Sequence, residues 1–180
     1  MKLVLTALIL AIAFSSCRSY LDCGKSIQNN FMNFNYLENY NEFIYKSKVN
    51  ATADNEIYHT SHFSINLPKM LKNWQSLGNE FYFEYDDKEI IYINAGFKNV
   101  GDAQTWKVRE TNSDEIYTKL NSYWNKRGYN ENALTAEQSR RISKVYSDEK
   151  ILILLYNIKK ENFDEYLSLV KSFKHLDLQK

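Results

Sequence analysis

Hydrophobic and polar positions along this chain change period several times, and each change marks an element. From Lys25 to Lys48 the apolar residues Ile27, Phe31, Phe34, Leu37, Tyr40, Phe43 and Ile44 fall three and four apart. That is the spacing of one helix face, so residues 27–48 read as a helical extension. Val49 to Asn55 is small and polar and reads as a loop. Period two begins at His62, where Phe63, Ile65 and Leu67 share one face and Pro68, with no amide hydrogen, ends the strand. Asn79–Tyr85 and Glu89–Ala95 are rich in Phe, Tyr and Ile and flank Asp86-Asp87-Lys88, which predicts a β-hairpin. Trp106 and Val108 alternate with Thr105 and Lys107 in a weaker fourth strand.

The second half alternates helix and strand. Ser113 or Asp114 can cap a helix with Ile116, Leu120, Tyr123 and Trp124 on its inner face, Lys126 and Arg127 against its C-terminal dipole, and Gly128 as a left-handed stop. Arg141–Tyr146 and Lys150–Ile158 form a second hairpin around Ser147-Asp148-Glu149. Residues Ile151 to Leu155 are apolar without interruption, so this strand is expected to be central and covered on both faces. A last helix starts near Asn162, with Glu165 as its capping-box partner and Phe163, Tyr166, Leu167, Val170 and Phe173 as its buried stripe. Strands joined by short turns are antiparallel, so the sum is a single α+β domain with helices packed on an antiparallel sheet.

Phe63-Ser64-Ile65-Asn66-Leu67-Pro68 with Trp74 behind it, the run Ile151 to Ile158, and the ending Leu169-Val170-Lys171-Ser172-Phe173-Lys174 resemble the PsbP-like α/β/α sandwich proteins over about Tyr58 to Leu176. The resemblance implies an antiparallel sheet between helices and a role as a binding or assembly module. Two departures are Asn73, where the family usually has glycine, and the Lys25–Lys48 segment, which has no counterpart there.

The first residues read as an address. Lys2 precedes an almost wholly apolar run from Leu3 to Phe14, followed by Ser15, Ser16 and Cys17, the regions of a secretory signal. The run is shorter than the roughly 20 apolar residues that span a bilayer. Phe14-Ser15-Ser16-Cys17 resembles the lipobox of bacterial lipoproteins, with Phe14 in place of the usual leucine, and implies acylation of Cys17. Residues 1–16 are then the signal peptide, 17–26 a tether and 27–180 the domain. Alternatively Ala11-Ile12-Ala13 is an ordinary cleavage site that leaves Cys17 and Cys23 free to form a disulfide. No acidic run follows Cys17, which in the lipoprotein reading points to an outer-membrane protein facing the periplasm rather than the cell exterior.

Charge and motifs then exclude more than they assign. The whole chain carries 23 basic and 22 acidic residues, a balance that argues against nucleic acid as a partner. His59 and His62 lack neighbouring ligands at metal spacing and read as two solvent-exposed histidines rather than a zinc site. Asp86-Asp87 falls in a turn and Asp164-Glu165 at a helix start, where acids are stabilising without chemistry. Arg140-Arg141 with Lys144 reads as a solvated basic face. No catalytic motif is present, so no catalytic residue, metal or cofactor is assigned. Among the aromatic residues, Trp74 in a loop-like stretch and Trp106 are the candidates for a binding surface. The expected function is a non-enzymatic envelope lipoprotein, held to the lipid bilayer through Cys17 and binding an envelope protein or glycan. The alternative is a secreted or periplasmic binding protein for a small ligand or glycan with a Cys17–Cys23 disulfide.

Overall fold

The computed structural model describes residues 27–28, 32–46, 50–53, 56–97, 105–130, 140–148 and 150–176. Cys17, Cys23, the signal segment 1–16 and the tether 17–26 lie outside the described residues. Fourteen strands and two helices make up the fold described. The strands are β1 (Ile27–Gln28), β2 (Met32–Tyr36), β3 (Asn41–Tyr45), β4 (Asn50–Ala53), β5 (Glu56–Thr60), β6 (Phe63–Leu67), β7 (Asn73–Leu77), β8 (Glu80–Glu84), β9 (Ile90–Asn94), β10 (Gly96–Phe97), β11 (Lys107–Glu110), β12 (Arg141–Ser147), β13 (Leu152–Lys159) and β14 (Lys174–His175). The helices are α1 (Ser113–Arg127) and α2 (Phe163–Val170).

A six-stranded sheet in the order β11-β12-β13-β9-β8-β7 faces a five-stranded sheet in the order β1-β2-β3-β6-β14, and every pairing is antiparallel. A small third sheet, β10-β5-β4, sits where β5 leads into β6 and β9 leads into β10. The chain is thus α+β and rich in strands. One face of the six-stranded sheet carries α1, and the other packs on the five-stranded sheet and on α2. Strand periodicity explains why both faces need cover. Phe81, Phe83, Ile91, Ile93, Ile153 and Leu155 point inward to Phe34, Phe43, Phe63, Ile65 and Leu67 of the opposing sheet. Tyr82, Ile90, Tyr92 and Leu154 point outward to Leu120, Tyr123 and Trp124 of α1. The uninterrupted apolar run of β13 therefore feeds two cores, and β13 lies between β12 and β9 as expected.

A bulge lets β13 change faces. Asn157 has φ +57° and the pairing with β12 shifts between Ile142 and Lys144. One extra residue reverses side-chain parity, so Ile158 joins Ile153 and Leu155 in the inner core.

In place of the expected helix over 27–48, the described residues there form three antiparallel strands, β1, β2 and β3. Phe34 pairs with Phe43 across β2 and β3, and Leu37 donates its N–H to the Tyr40 carbonyl to close the turn. Two short alternating runs, Met32-Phe34-Tyr36 and Asn41-Phe43-Tyr45, separated by four turn residues mimic a spacing of three and four. The interleaved asparagines, poor in helices, favour the strands. Val49–Asn55, expected to be a loop, contains β4, which pairs with β5.

Helix α1 is capped by a different residue from the ones expected, whereas α2 begins beside Asn162 as expected but without the capping bonds. Asn112, not Ser113 or Asp114, caps α1, its Oδ1 accepting from the Glu115 N–H at 2.8 Å. Gly128 ends α1 with φ +65°, as expected. Asn162 precedes α2 but its side chain makes no capping bond, so the expected capping box is absent. The ending Ser172-Phe173-Lys174 closes the inner core. Ser172 Oγ accepts from the Asn66 N–H at 2.7 Å, Phe173 stacks on Phe63 with centroids 5.1 Å apart, and Lys174 begins β14 on the β6 edge.

Candidate functional site

Among the described residues, a dense polar cluster lies at one end of the six-stranded sheet, around the β8–β9 hairpin. The turn is tight: Tyr85 N–H donates to the Glu89 carbonyl at 2.8 Å, and Asp87 and Lys88 both take positive φ. Period two then sends the flanking carboxylates to opposite faces. Glu84, 3% exposed, points toward α1; Glu89, 2% exposed, points toward α2.

Glu84 receives donors from every side. Tyr123 Oη donates to Oε2 at 2.6 Å, Arg127 Nε donates to the same oxygen at 2.8 Å, and the Tyr129 hydroxyl donates to Oε1. Asn73 Nδ2 in turn donates to Tyr123 Oη at 3.0 Å. Glu89 is held in the same way, accepting from Tyr166 Oη at 2.9 Å, the Lys159 N–H at 2.7 Å and Arg141 Nη1 at 3.3 Å. At the other end of β8 a third carboxylate, Glu80, accepts from Tyr92 Oη at 2.6 Å and Tyr82 Oη at 3.0 Å. Burial first, and the adjoining carboxylates second, push the Tyr92 and Tyr123 phenols well above their ordinary range. Burial likewise raises Tyr82, with Ser122 opposing it and Glu80 adding to it, and raises Tyr166 with help from Glu89.

The turn itself is gripped by cations. Lys159 Nζ lies 2.8 Å from Asp87 Oδ2, and this contact holds the Asp87 carboxyl below the usual carboxylate range. Lys72 pairs with Asp86, and Asn157 Nδ2 donates to the Asp87 carbonyl at 2.9 Å. A buried charge is tolerated when its lone pairs are all met. Glu84 and Glu89 each accept three donors and therefore act as anchors for α1 and α2. Both carboxylates are almost closed to solvent.

The residues singled out in the sequence lie elsewhere. Trp74 is in edge strand β7, not a loop, with its ring against Phe34 and Phe43 at 5.3 and 6.2 Å. Trp106 stacks on Tyr146 at 4.4 Å and touches Phe173, beside β11 at the opposite edge of the same sheet. The two tryptophans thus share no surface, and both pack against the inner core. His62 is buried, contrary to its expected exposure, because Ser61 and His62 carry the chain between β5 and β6 inside the junction of the sheets. Arg141, read as part of a solvated basic face, is turned onto Glu89 and Asp87, and Lys144 pairs with Glu110.

Among the described residues no group of three or more His, Cys, Asp or Glu side chains is placed to share a metal ion, and no helix is long and apolar enough to cross a membrane. The fold and the cluster together define a class: an antiparallel two-sheet α+β domain whose helices are fastened by tyrosine–carboxylate contacts. Comparison of the chain with protein-family models, curated proteins and solved structures gives no significant match in any of the three.

Proposed function

We propose that the chain is a non-enzymatic lipoprotein of a bacterial envelope, acylated at Cys17, whose α+β domain binds or assembles with another envelope component. The observation that carries this reading is the apolar run Leu3–Phe14 ending at Ser15-Ser16-Cys17. A diacylglyceryl group plus an N-linked acyl chain on one cysteine supplies the several chains that stable anchoring requires. Arg18-Ser19-Tyr20-Leu21, directly after Cys17, carry no acidic run, which favours the periplasmic side of the outer membrane. Engagement of the buried Glu84 and Glu89 by tyrosine, arginine and backbone donors supports a structural rather than an acid–base role for these two carboxylates. The PsbP-like relation is proposed over about Tyr58 to Leu176, where the order of strands, helix, hairpin and helix favours it. Strands β1 to β3 lie outside that relation.

The test is the intact mass of the mature chain purified from membranes. The expected result is an acyl adduct on Cys17 and its loss, with release to the soluble fraction, in Cys17→Ala. A mature chain beginning after Ala13 and lighter by two hydrogens would replace this reading with the secreted one carrying a Cys17–Cys23 disulfide.

A further inference from the structure

β1 runs antiparallel to β2, with Ile27 opposite Phe34 and Gln28 opposite Asn33. The chain therefore enters β1 at the end of the sheet where β2 runs out into the Leu37–Tyr40 turn. That end carries an apolar tip. Leu37 is 41% exposed and Met70, in the segment that follows Pro68, is 61% exposed. The two segments are tied together: Lys69 Nζ donates to the Leu37 carbonyl at 2.8 Å, and Asn41 Nδ2, fully buried, donates to the Pro68 carbonyl at 3.2 Å. Met70 holds φ +63°, a conformation that a non-glycine residue keeps only where its surroundings enforce it. A large apolar side chain is thus presented outward on a braced backbone.

From this register we infer that the Leu37–Met70 tip faces the phospholipid bilayer and rests in its interface, an inference that builds on acylation of Cys17. The ten steps from Cys17 to Ile27 reach at most about 35 Å even when fully extended. A domain of this size is itself about 40 Å across. A tether shorter than the domain is wide bars the fully inverted pose and favours those in which the entry end, and with it the tip, lies nearer the lipid than the opposite end. Exposed apolar side chains beside a lysine suit that boundary, since the methionine and leucine enter the acyl margin while the ammonium group stays at headgroup level. The opposite end, where Lys174 pairs with Ser64 at the start of β6, is left facing the aqueous compartment and any partner.

The full-length protein is expressed with Cys23→Ser and one added cysteine, either Met70→Cys or Lys174→Cys, so that acylation blocks Cys17 and a thiol-reactive fluorophore reports one position. Each protein is reconstituted in phosphatidylethanolamine–phosphatidylglycerol vesicles with brominated acyl chains, and its intact mass is recorded. Acylated protein whose emission is blue-shifted and quenched at position 70 but unchanged at position 174 is the expected result. Acylated protein with both positions in water, or with quenching at 174, overturns the orientation and leaves the anchor standing. A mass without acyl chains overturns the anchor and the orientation together.

Discussion

Replacing Tyr123 by phenylalanine isolates the anchoring role of the buried carboxylates. The substitution keeps the ring, which lies parallel to Tyr82 with centroids 4.9 Å apart, and removes only the hydroxyl. That hydroxyl donates to Glu84 Oε2 at 2.6 Å and accepts from Asn73 Nδ2 at 3.0 Å. A hydrogen bond to a charged group contributes about 1.5–3 kcal/mol, and the buried Glu84 oxygen also loses one of its donors. Arg127 still reaches the same oxygen, so the expected loss is about 2–3 kcal/mol, a large share of the 5–15 kcal/mol typical of a domain. The assay is urea unfolding followed by circular dichroism, with the midpoint lowered and the slope unchanged. Tyr117→Phe on the exposed side of α1 is the control and is expected within about 0.5 kcal/mol of the parent. Combining Tyr123→Phe with Glu84→Gln should cost less than the sum of the two, by about 1–2 kcal/mol, because the pair shares one interaction. A Tyr123→Phe protein no less stable than Tyr117→Phe would refute the anchoring role.

High pH should unfold the domain. Tyr82, Tyr92, Tyr123 and Tyr166 ionise above the ordinary phenol range in the folded state, so their stabilisation is whole below about pH 10 and is lost as pH rises beyond it. Burial pushes the Tyr156 phenol up to about 12, which marks the far side of its own window. Tyrosinate absorbance should appear together with loss of near-ultraviolet dichroism; phenols titrating near pH 10 in a folded protein would deny the burial. Gly96→Ala should destabilise by about 1–3 kcal/mol, since a Cβ there would lie 1.7 Å from Asn79 Nδ2, which is bonded to Asn94 Oδ1; a thermal midpoint equal to the parent's would show that Asn79 moves aside without cost. Asn157→Val should cost about 2 kcal/mol more than Asn157→Gly, because both lose the side-chain bonds but only valine is forced into a left-handed backbone. Equal urea midpoints for those two variants would mean that the bulge relaxes.

Periodicity made the hairpins β8–β9 and β12–β13, the central place of β13 and both helices legible, because each pattern there was set by a single packing face or by two. It failed at residues 32–45, where a short turn between two alternating runs left apolar spacings common to helix and hairpin. The anchors were hidden for a different reason. Glu80-Phe81-Tyr82-Phe83-Glu84 alternates in the way of a strand with one wet face, and only the arrival of α1 from thirty residues further on turns the Glu–Tyr–Glu side into a buried network. Trp74 looked free because it follows a proline in a polar stretch, while its cover, Phe34 and Phe43, comes from a region whose strands the spacing concealed.

The hairpin turn between Glu84 and Glu89 also constrains how this chain can diverge. Surface connections ordinarily absorb insertions and deletions. Here the separation of the two carboxylates sets which helix each one meets, so an added residue would draw Glu89 away from Tyr166 or Glu84 away from Tyr123 without touching either helix. The six residues from Glu84 to Glu89 thus act as a spacer that places two helices at once, although they lie in a surface turn.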